Sequence, residues 1–272
     1  MKLILCFYLI VCLCNVIITS FANPTTKSGQ NWAVLVAGSS TYYNYRHQAN
    51  LCHAYQDLVA HGIPQSNIIT MMYDDVANDP ANPHPGVLIN QPNGPDVYHG
   101  VIKDCTGNEV TPPNFLKVLL GDSGLKAAGK KVLESGQNDN VFIYFTDHGG
   151  PLIVGFPNDE LHASDLISTL KQMHAKKMYN KLLFYMEACE SGSMFDGLLP
   201  NDISVHGISS TSPDDPGYAC FCNVSENTCL GDEFSVNWLL NSDVGKDFGG
   251  ETIRQQFLLV KNETTDSVPL IW

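Results

Sequence analysis

The sequence predicts an α/β domain with a mostly parallel central sheet and helices on both of its faces. Short apolar runs rich in β-branched and aromatic residues alternate along the chain with longer stretches of helical periodicity. This alternation is typical of parallel sheets, because each parallel connection has to cross a face of the sheet, usually through a helix. The length of 272 residues suits one such domain rather than two.

The first half of the chain contains two predicted strands, at residues 32–38 and 67–73, with a predicted helix between them at 48–61. The helix has apolar residues at helical spacing and is followed by Gly62 and Pro64, which commonly end helices. Residues 79–113 are rich in Pro, Asn and Gly and too long for a passive connection. We therefore expect them to form a surface excursion on the binding side.

The second half of the chain repeats the alternation. Strands are predicted at 141–146, 181–186 and 203–210, and helices at 113–120, 161–176, 233–240 and 251–261. The sequence stops at Ile271-Trp272, within an apolar stretch that is predicted as a further strand. We therefore expect a domain that is truncated at its C-terminus.

The first 22 residues are predicted to be a signal peptide. Lys2 gives a short basic start, an apolar run follows, and the small-x-small triplet ending at Ala22 fits a cleavage site. A signal anchor is the alternative, but the run is short for a membrane span and Asn15 interrupts it. No later stretch could span a bilayer, so we expect a mature chain in the secretory pathway, with 23–29 as a short propeptide or linker.

Charge argues against one class of partner. The chain has 28 acidic and 15 basic residues and a net charge of −13 at pH 7. Nucleic-acid binding needs clustered positive charge, so no nucleic-acid partner is expected.

The secretory route makes two kinds of modification relevant. Cys222 and Cys229 bracket a short polar loop and are the easiest cysteines to join as a disulfide. With Cys220 they could instead form a zinc site, although no histidine lies nearby in the sequence. Asn223 and Asn262 each begin a glycosylation sequon.

Two short blocks, at 144–150 and 185–192, indicate the chemistry. Each is an apolar β-prone run that ends in a polar turn with glycine, and they deliver His148 and Cys189 to strand ends. In an open parallel sheet the strand C-termini share one edge, where ligands bind. Taken singly, either residue could be structural, a buried thiol or a satisfied histidine. Together they predict a nucleophile with its acid/base partner, and hence a cysteine hydrolase.

The residues now match a family. The chain resembles the legumain family, which are asparaginyl endopeptidases among the caspase-like cysteine peptidases. The similarity extends from about Trp32 to the end, and its motifs lie at 36–39, 43–49, 71–75, 145–149, 187–194 and 230–232. A related transamidase that attaches glycolipid anchors shares the Asn-Tyr-Arg-His block but lacks the Glu-Ala-Cys-Glu-Ser-Gly run. The resemblance implies a caspase-like fold, with residues 30–272 as the peptidase domain.

The resemblance also implies catalytic roles. Cys189 would be the nucleophile and His148 the acid/base, with Asn44 positioning the imidazole. The backbone amides of Gly149 and Cys189 would form the oxyanion hole.

The substrate side-chain pocket (S1) would map, by the same resemblance, to Arg46, His47, Glu187, Tyr218 and Asp232. A carboxamide has one acceptor oxygen and an NH2 group that donates twice. We therefore expect Arg46 to donate to the oxygen of a substrate Asn, and the two acidic residues to accept from its NH2. A protonated Asp resembles Asn, so cleavage after Asp is expected only at acid pH.

The chain departs from the family at three places. Pro216-Gly217 stands before Tyr218 where many members have Ser-Ser, which removes a hydroxyl contact and could shift substrate preference. Cys229 replaces a Tyr found in some members, and other members have a Cys there, in agreement with a Cys222–Cys229 bridge. We also expect these 272 residues to lack the C-terminal prodomain that caps the active site in the family.

These observations predict a cysteine endopeptidase that cleaves after Asn and uses no metal or organic cofactor. The expected partners are protein and peptide substrates with Asn at P1, together with cystatin-type inhibitors. The expected location is a lysosome, a vacuole or the exterior of the cell. Two alternatives stay open, namely an Asn-specific peptide ligase using the same site and a catalytically inactive paralogue that acts as a binding protein.

Overall fold

The computed structural model describes residues 29–222, 226–243 and 252–272. The predicted signal peptide, all but one residue of the 23–29 segment, and the Asn223 glycosylation site lie outside these ranges. Among the helices within them, none has the length and apolar character needed to cross a membrane.

The described residues form eleven strands and six α-helices. The strands are β1 (Asn31–Ala37), β2 (Ile68–Met71), β3 (Asn140–Thr146), β4 (Gly149–Gly150), β5 (Ile153–Phe156), β6 (Asp159–His162), β7 (Lys181–Glu187), β8 (Val205–Ser209), β9 (Ala219–Cys220), β10 (Gly231–Asp232) and β11 (Leu270–Ile271). The helices are α1 (Tyr45–Ala60), α2 (Pro112–Leu119), α3 (Ser123–Ala127), α4 (Ala163–Ala175), α5 (Glu233–Asp243) and α6 (Ile253–Glu263).

Six strands form the central sheet, in the order β11-β8-β7-β3-β1-β2. All neighbours are parallel except β11, which runs antiparallel to β8. The parallel strands end at one edge of the sheet, where β3 and β7 are in register at Thr146 and Glu187. The predicted parallel α/β sheet is thereby confirmed, and so is the strand at the end of the sequence.

The core lies in two layers, one on each face of the sheet. Alternate residues of β1 point to opposite layers, because side chains on a strand alternate between faces. Val34 and Val36 join the layer of α2 and α4, whereas Ala33 and Leu35 join the layer of α1, α5 and α6. Helices therefore cover both faces, as predicted.

Two sequence predictions need correction. The helix predicted at 161–176 begins only at Ala163, because residues 159–162 pair as β6 with β5, with Leu161 as their one buried member. Helix α1 begins at Tyr45 rather than at residue 48, which brings Arg46 and His47 onto its first turn. The short helix α3 was not predicted. Residues 79–106 are irregular, in agreement with the expected surface excursion, and Gln56 of α1 donates to the carbonyl oxygens of Val97 and His99 in it.

Candidate active site

His148 and Cys189 occupy equivalent places on neighbouring strands. Thr146 and Glu187 are the last paired residues of β3 and β7, and each candidate residue follows two positions later. Adjacent strands lie about 4.8 Å apart, so the register alone brings the two turns together. The Asp147 amide extends the pairing by donating to the Glu187 carbonyl oxygen at 3.0 Å. The edge predicted from the two sequence blocks is therefore present.

The imidazole of His148 is oriented by Asn44, which precedes helix α1. Asn44 Nδ2 donates to the carbonyl oxygen of Ser40 at 2.9 Å, and this bond fixes the amide so that Oδ1 faces His148. His148 Nε2 lies 2.8 Å from that oxygen and must donate to it. The neutral ring then has its lone pair on Nδ1, which is the atom left for proton transfer.

The turn that presents Cys189 is held by buried hydroxyl groups. Glu190 adopts a left-handed conformation with φ of 52°, which ends β7 and starts the 3-10 turn Ser191–Met194. Beneath the turn, Ser210 and Thr211 bond to Ala188 and Ser191 through both backbone and hydroxyl groups, at 2.9 to 3.3 Å. The backbone around Cys189 is therefore fixed by neutral groups contributed by the end of β8.

Two backbone amides are available to an oxyanion. The amides on either side of Cys189 are taken, since Ala188 donates to Ser210 and Glu190 to Asp215, but no acceptor in the described parts of the chain takes the Cys189 amide. The second amide belongs to Gly149. Gly155 donates to the His148 carbonyl oxygen, so His148 and Gly155 are a hydrogen-bonded pair of the β4–β5 ladder. Because such pairs alternate with non-hydrogen-bonded ones in an antiparallel ladder, Gly149 and Val154 are not hydrogen-bonded and the Gly149 amide points away from β5.

Glycine is required at position 149 by the close approach of the two turns. A Cβ atom there would lie 2.4 Å from the Cys189 carbonyl oxygen and 2.9 Å from the Ala188 side chain. Even alanine would have to push the turns that bear His148 and Cys189 apart.

The departure from the family pattern at Gly217 lies directly against the thiol. The Gly217 amide donates to Cys189 Sγ at 3.3 Å, and the thiol lies 3.8 Å from the Gly217 carbonyl oxygen. The next residue, Tyr218, has 45% of its surface exposed. The segment therefore supplies a hydrogen bond to sulfur through its backbone, and an aromatic wall beside it.

The predicted S1 residues converge around Asp232. Arg46 Nε donates to Asp232 Oδ1 at 2.7 Å, and Asn50 Nδ2 donates to Oδ2 at the same distance. His47 Nε2 lies 3.8 Å from Oδ2. The strand pair β9–β10 sets Asp232 opposite Ala219, next to Tyr218. One helix, α1, thus orients the carboxylate with two donors.

Glu187 is buried more deeply than a residue that only lines a pocket. It is 3% exposed, and its Oε2 accepts from the backbone N–H and the hydroxyl of Ser235 at 2.9 and 2.8 Å. Burial raises the pKa of Glu187 to about 8, and the neighbouring carboxylate of Asp232 contributes to the rise. With a pKa of about 8, Glu187 keeps its proton at acid and neutral pH, whereas Asp232 forms an ion pair with Arg46.

The ionisable groups around His148 are also shifted. Burial lowers the pKa of His148, Asp147 partly opposes this, and Arg46 lowers it further. Burial lowers the pKa of His47 well below its usual value, so that ring is neutral. Burial raises the pKa of Asp147 to about 6. The Asp147 carboxylate lies 3.2 Å from His47 Nδ1, so the orienting hydrogen bond to His148 comes from Asn44 instead.

Comparison with known proteins decides the family. Residues 31–269 match the Peptidase C13 family. This chain belongs to the Peptidase C13 family. It is 54% identical over 241 residues to legumain of Mus musculus, an alignment that covers 88% of this chain and 55% of the relative. It is 47% identical over 257 residues to the vacuolar-processing enzyme delta-isozyme of Arabidopsis thaliana, covering 91% and 55%.

A solved structure supports the fold. Caspase-1 from Spodoptera frugiperda superposes with a TM-score of 0.52 at 9% identity, covering 90% of this chain and 86% of that one. The caspase-like fold implied by the motifs is confirmed, and so is the family resemblance. The chain spans about half the length of the curated relatives it matches.

In this C13 chain the predicted disulfide is present. Cys222 and Cys229 are bonded, which rules out the alternative zinc site that needed both as thiolates. The bridge closes the loop between β9 and β10, next to Tyr218 and Asp232. Cys189 and Cys220 are free thiols. Asn262 lies exposed on α6, where its sequon remains a prediction.

Several residues of the site were missed from the sequence. Asn50 orients Asp232, Ser235 binds Glu187, and the hydroxyls of Ser210 and Thr211 hold the Cys189 turn. Asn50 could have been found, because it lies one helical turn after Arg46 and His47 and so shares their face. The hydroxyls follow a predicted strand without any distinguishing pattern.

Proposed function

We propose that this chain is a cysteine endopeptidase that hydrolyses peptide bonds after Asn, and after Asp at acid pH. The observation that carries the proposal is the convergence, at one sheet edge, of Cys189, an Asn44-oriented His148 and a polar pocket centred on Asp232. The names of the relatives, legumain and vacuolar-processing enzyme, support the same activity. Residues 30–272 would form the peptidase domain.

Substrate recognition would use charges that are already oriented. Arg46 donates from Nε to Asp232, and its terminal Nη groups have no acceptor in the described part of the chain. The Nη groups can therefore donate to the oxygen of a substrate Asn. The Asp232 carboxylate accepts from the substrate NH2. An apolar side chain of equal size would leave these buried polar groups unpaired, and is therefore rejected. Glu187, His47 and Tyr218 would complete the walls.

The reaction follows from the positions of the two catalytic groups. Cys189 Sγ attacks the scissile carbonyl carbon, its proton passes to His148 Nδ1, and the oxyanion accepts from the amides of Gly149 and Cys189. The C–N bond then breaks as His148 returns the proton to the leaving amine, which leaves a thioester on Cys189. Water, deprotonated by His148, attacks the thioester and releases the acid product and the thiol. Every step uses groups of the chain, substrate and water.

Asp232 would make cleavage after Asp depend on pH more strongly than cleavage after Asn. An ionised substrate Asp would meet this carboxylate at close range, whereas a protonated Asp offers the same donor and acceptor pattern as Asn. Cleavage after Asp should therefore increase as the pH falls towards the ordinary pKa of the substrate side chain, about 4. We propose a lysosomal, vacuolar or secreted location, protein and peptide substrates with Asn at P1, and cystatin-type inhibitors.

The test is hydrolysis of paired fluorogenic peptides with Asn or Gln before the reporter, at about pH 5.5 and about pH 7.5. Cys189→Ala serves as the control for the nucleophile. Turnover that favours Asn and disappears in Cys189→Ala would support the proposal. A folded protein without turnover would overturn it and favour an inactive binding paralogue. Addition of an amine nucleophile, with product masses, separates hydrolysis from ligation.

A further inference from the structure

A second cluster of ionisable groups lies further along helix α1, away from the catalytic pair. His53 and Asp57 are one helical turn apart and therefore share a face, and Asp243 at the end of α5 meets them there. One ligand atom from each of the three lies within 4.8 Å of the other two. His53 and Asp57 are buried, while Asp243 is exposed, so the cluster has an opening to solvent.

The ring of His53 has a fixed orientation. Asn90 Nδ2 donates to Asn50 Oδ1 and to the Leu230 carbonyl oxygen, so Asn90 Oδ1 must be the acceptor for His53 Nδ1, 2.9 Å away. The other nitrogen, Nε2, then faces Asp243 Oδ2 at 3.0 Å. Without a metal, Nε2–H donates to this carboxylate, so the ring forms an ion pair with Asp243. A metal-ligating histidine also donates one ring N–H to an oxygen, so loss of the Nε2 proton would leave that nitrogen free to bind an ion.

Asp57 supplies the observation that points to a ligand. The side chain is only 4% exposed, and its Oδ2 atom has no hydrogen-bond partner among the described residues. Asp243 is the group that faces this carboxyl, and the two side chains are close enough to share one proton. Two carboxylates in contact cannot both stay ionised unless a proton or a cation lies between them.

We propose that His53 Nε2, Asp57 and Asp243 bind one divalent transition-metal ion of the zinc class. Two carboxylates balance the charge of such an ion, and one imidazole with two carboxylates is a ligand set that zinc accepts, with water in the fourth position. The imidazole selects against Mg2+ and Ca2+, which prefer oxygen ligands. The ion would replace two protons, the one that Asp57 and Asp243 share and the one on His53 Nε2, and both would pass to solvent.

The site is connected to the substrate pocket through two buried amides. Asn90, which holds His53, donates to Asn50, and Asn50 Nδ2 in turn donates to Asp232. An ion on His53 would therefore strengthen a hydrogen-bond chain that ends on the carboxylate of S1.

The test is an isothermal titration in which calorimetry measures Zn2+ binding to the full chain. The chain carries Cys189→Ala so that the catalytic thiol does not bind the metal. The decisive variant adds Asp57→Asn. The amide keeps the size and shape of the Asp57 side chain and adds no charge at a buried position, so the variant is expected to fold. Asp165→Asn, an exposed change of the same charge on α4, is the matched control. Thermal unfolding with a chelator checks that all three variants fold.

We expect the parent and the Asp165→Asn variant to bind one Zn2+ that Asp57→Asn binds at least about 100-fold more weakly, and Mg2+ in excess not to compete. No Zn2+ binding by the parent, or equal binding by a folded Asp57→Asn variant, would overturn the proposal. In the second case the other cluster of possible ligands, His47, Asp147 and His148, would be the place to look for the ion. Because binding is measured without catalysis, this outcome is independent of the proposed peptidase activity.

Discussion

The turn that bears Cys189 and the pocket around Asp232 adjoin each other but are stabilised by different interactions. The turn is held by neutral groups, the hydroxyls of Ser210 and Thr211 and backbone amides. The pocket is held by ionisable groups, with Arg46 and Asp232 as an ion pair and Glu187 as a buried neighbour. Neutral hydrogen bonds do not titrate, whereas these carboxyl groups do.

The comparison indicates that changes of pH and steric changes should act on different regions. A change of pH leaves the nucleophile in place and alters the charge of the pocket and of His148. Steric changes should act in the opposite way, with their main effect on the closely packed turns. The following predictions are arranged from the largest expected effect to the smallest.

Replacing Gly149 by alanine should have the largest effect. The new Cβ would overlap the Cys189 carbonyl oxygen, displacing one oxyanion amide and separating the two turns. Loss of one oxyanion donor typically lowers kcat about 100- to 1000-fold. The measurement is kcat and KM on the Asn peptide. Gly150→Ala is the matched control, because a Cβ there meets only Ile153 at an ordinary 3.5 Å. Equal losses in both variants would contradict the steric argument.

Asp232→Asn should act on the pocket rather than on the turn. The amide cannot accept from the substrate NH2 as a carboxylate does, and it loses the ion pair with Arg46. We expect kcat/KM for Asn peptides to fall about 100-fold, while the rate of Cys189 alkylation by iodoacetamide stays unchanged. A slower alkylation would show that the two regions are coupled. Asp214→Asn, an exposed change outside the pocket, is the control.

Stability should fall as the pH rises from about 6.5 to about 8. In this window the folded state keeps protons on Glu187 and Asp57, whose pKa values are about 8, while the unfolded chain has already lost them. Because the folded state binds more protons, the free energy of unfolding decreases, by at most about 1.4 kcal/mol per pH unit for each group. His47 and His148, with lowered pKa values, are neutral in the folded state. The unfolded chain loses its histidine protons at about pH 6.5, which opposes the fall only in the lowest part of the window. The raised pKa of His53 acts in the same direction as the carboxyl groups.

The measurement is urea unfolding of Cys189→Ala across this window with a chelator present. Adding Glu187→Gln removes one titrating group and should flatten the dependence. A stability that rises with pH would show that the buried carboxyls are ionised in the folded chain.

Gly217→Ala should have the smallest effect. The nearest atoms to a Cβ there lie at 3.4 Å or beyond, and the substitution keeps the backbone N–H that donates to Cys189 Sγ. We expect kcat/KM to change by less than about 3-fold. A large loss would mean that the departure from the family pattern at this position is itself required for activity.

The sequence was sufficient for the six strands of the central sheet and for the edge that bears His148 and Cys189. His148 and Cys189 follow long apolar runs that end in glycine turns, so both the strand and its end are visible locally. The charged pocket residues came from the family resemblance, because nothing in the local sequence links Arg46 to Asp232 across 186 positions.

What could not be predicted depends on distant contacts. Leu161 is the one apolar residue within 159–162, so no alternating pattern marks a strand there, and only pairing with β5 makes the segment one. Ser210 and Thr211 matter because β8 lies beside β7, which is a property of strand order. The burial that raises the pKa of Glu187 likewise depends on helix α5, from which Ser235 reaches it.

The position of helix α1 limits how this protein could be redesigned. Asn44 at its start orients the imidazole of His148. Arg46 and Asn50 on its first turns orient Asp232 in the proposed S1 pocket. A tilt or slide of this one rigid rod would misalign proton transfer and substrate choice in the same movement. Engineering a new specificity by moving the helix would therefore cost turnover, whereas reshaping the opposite wall at Gly217 and Tyr218 leaves the alignment of His148 intact.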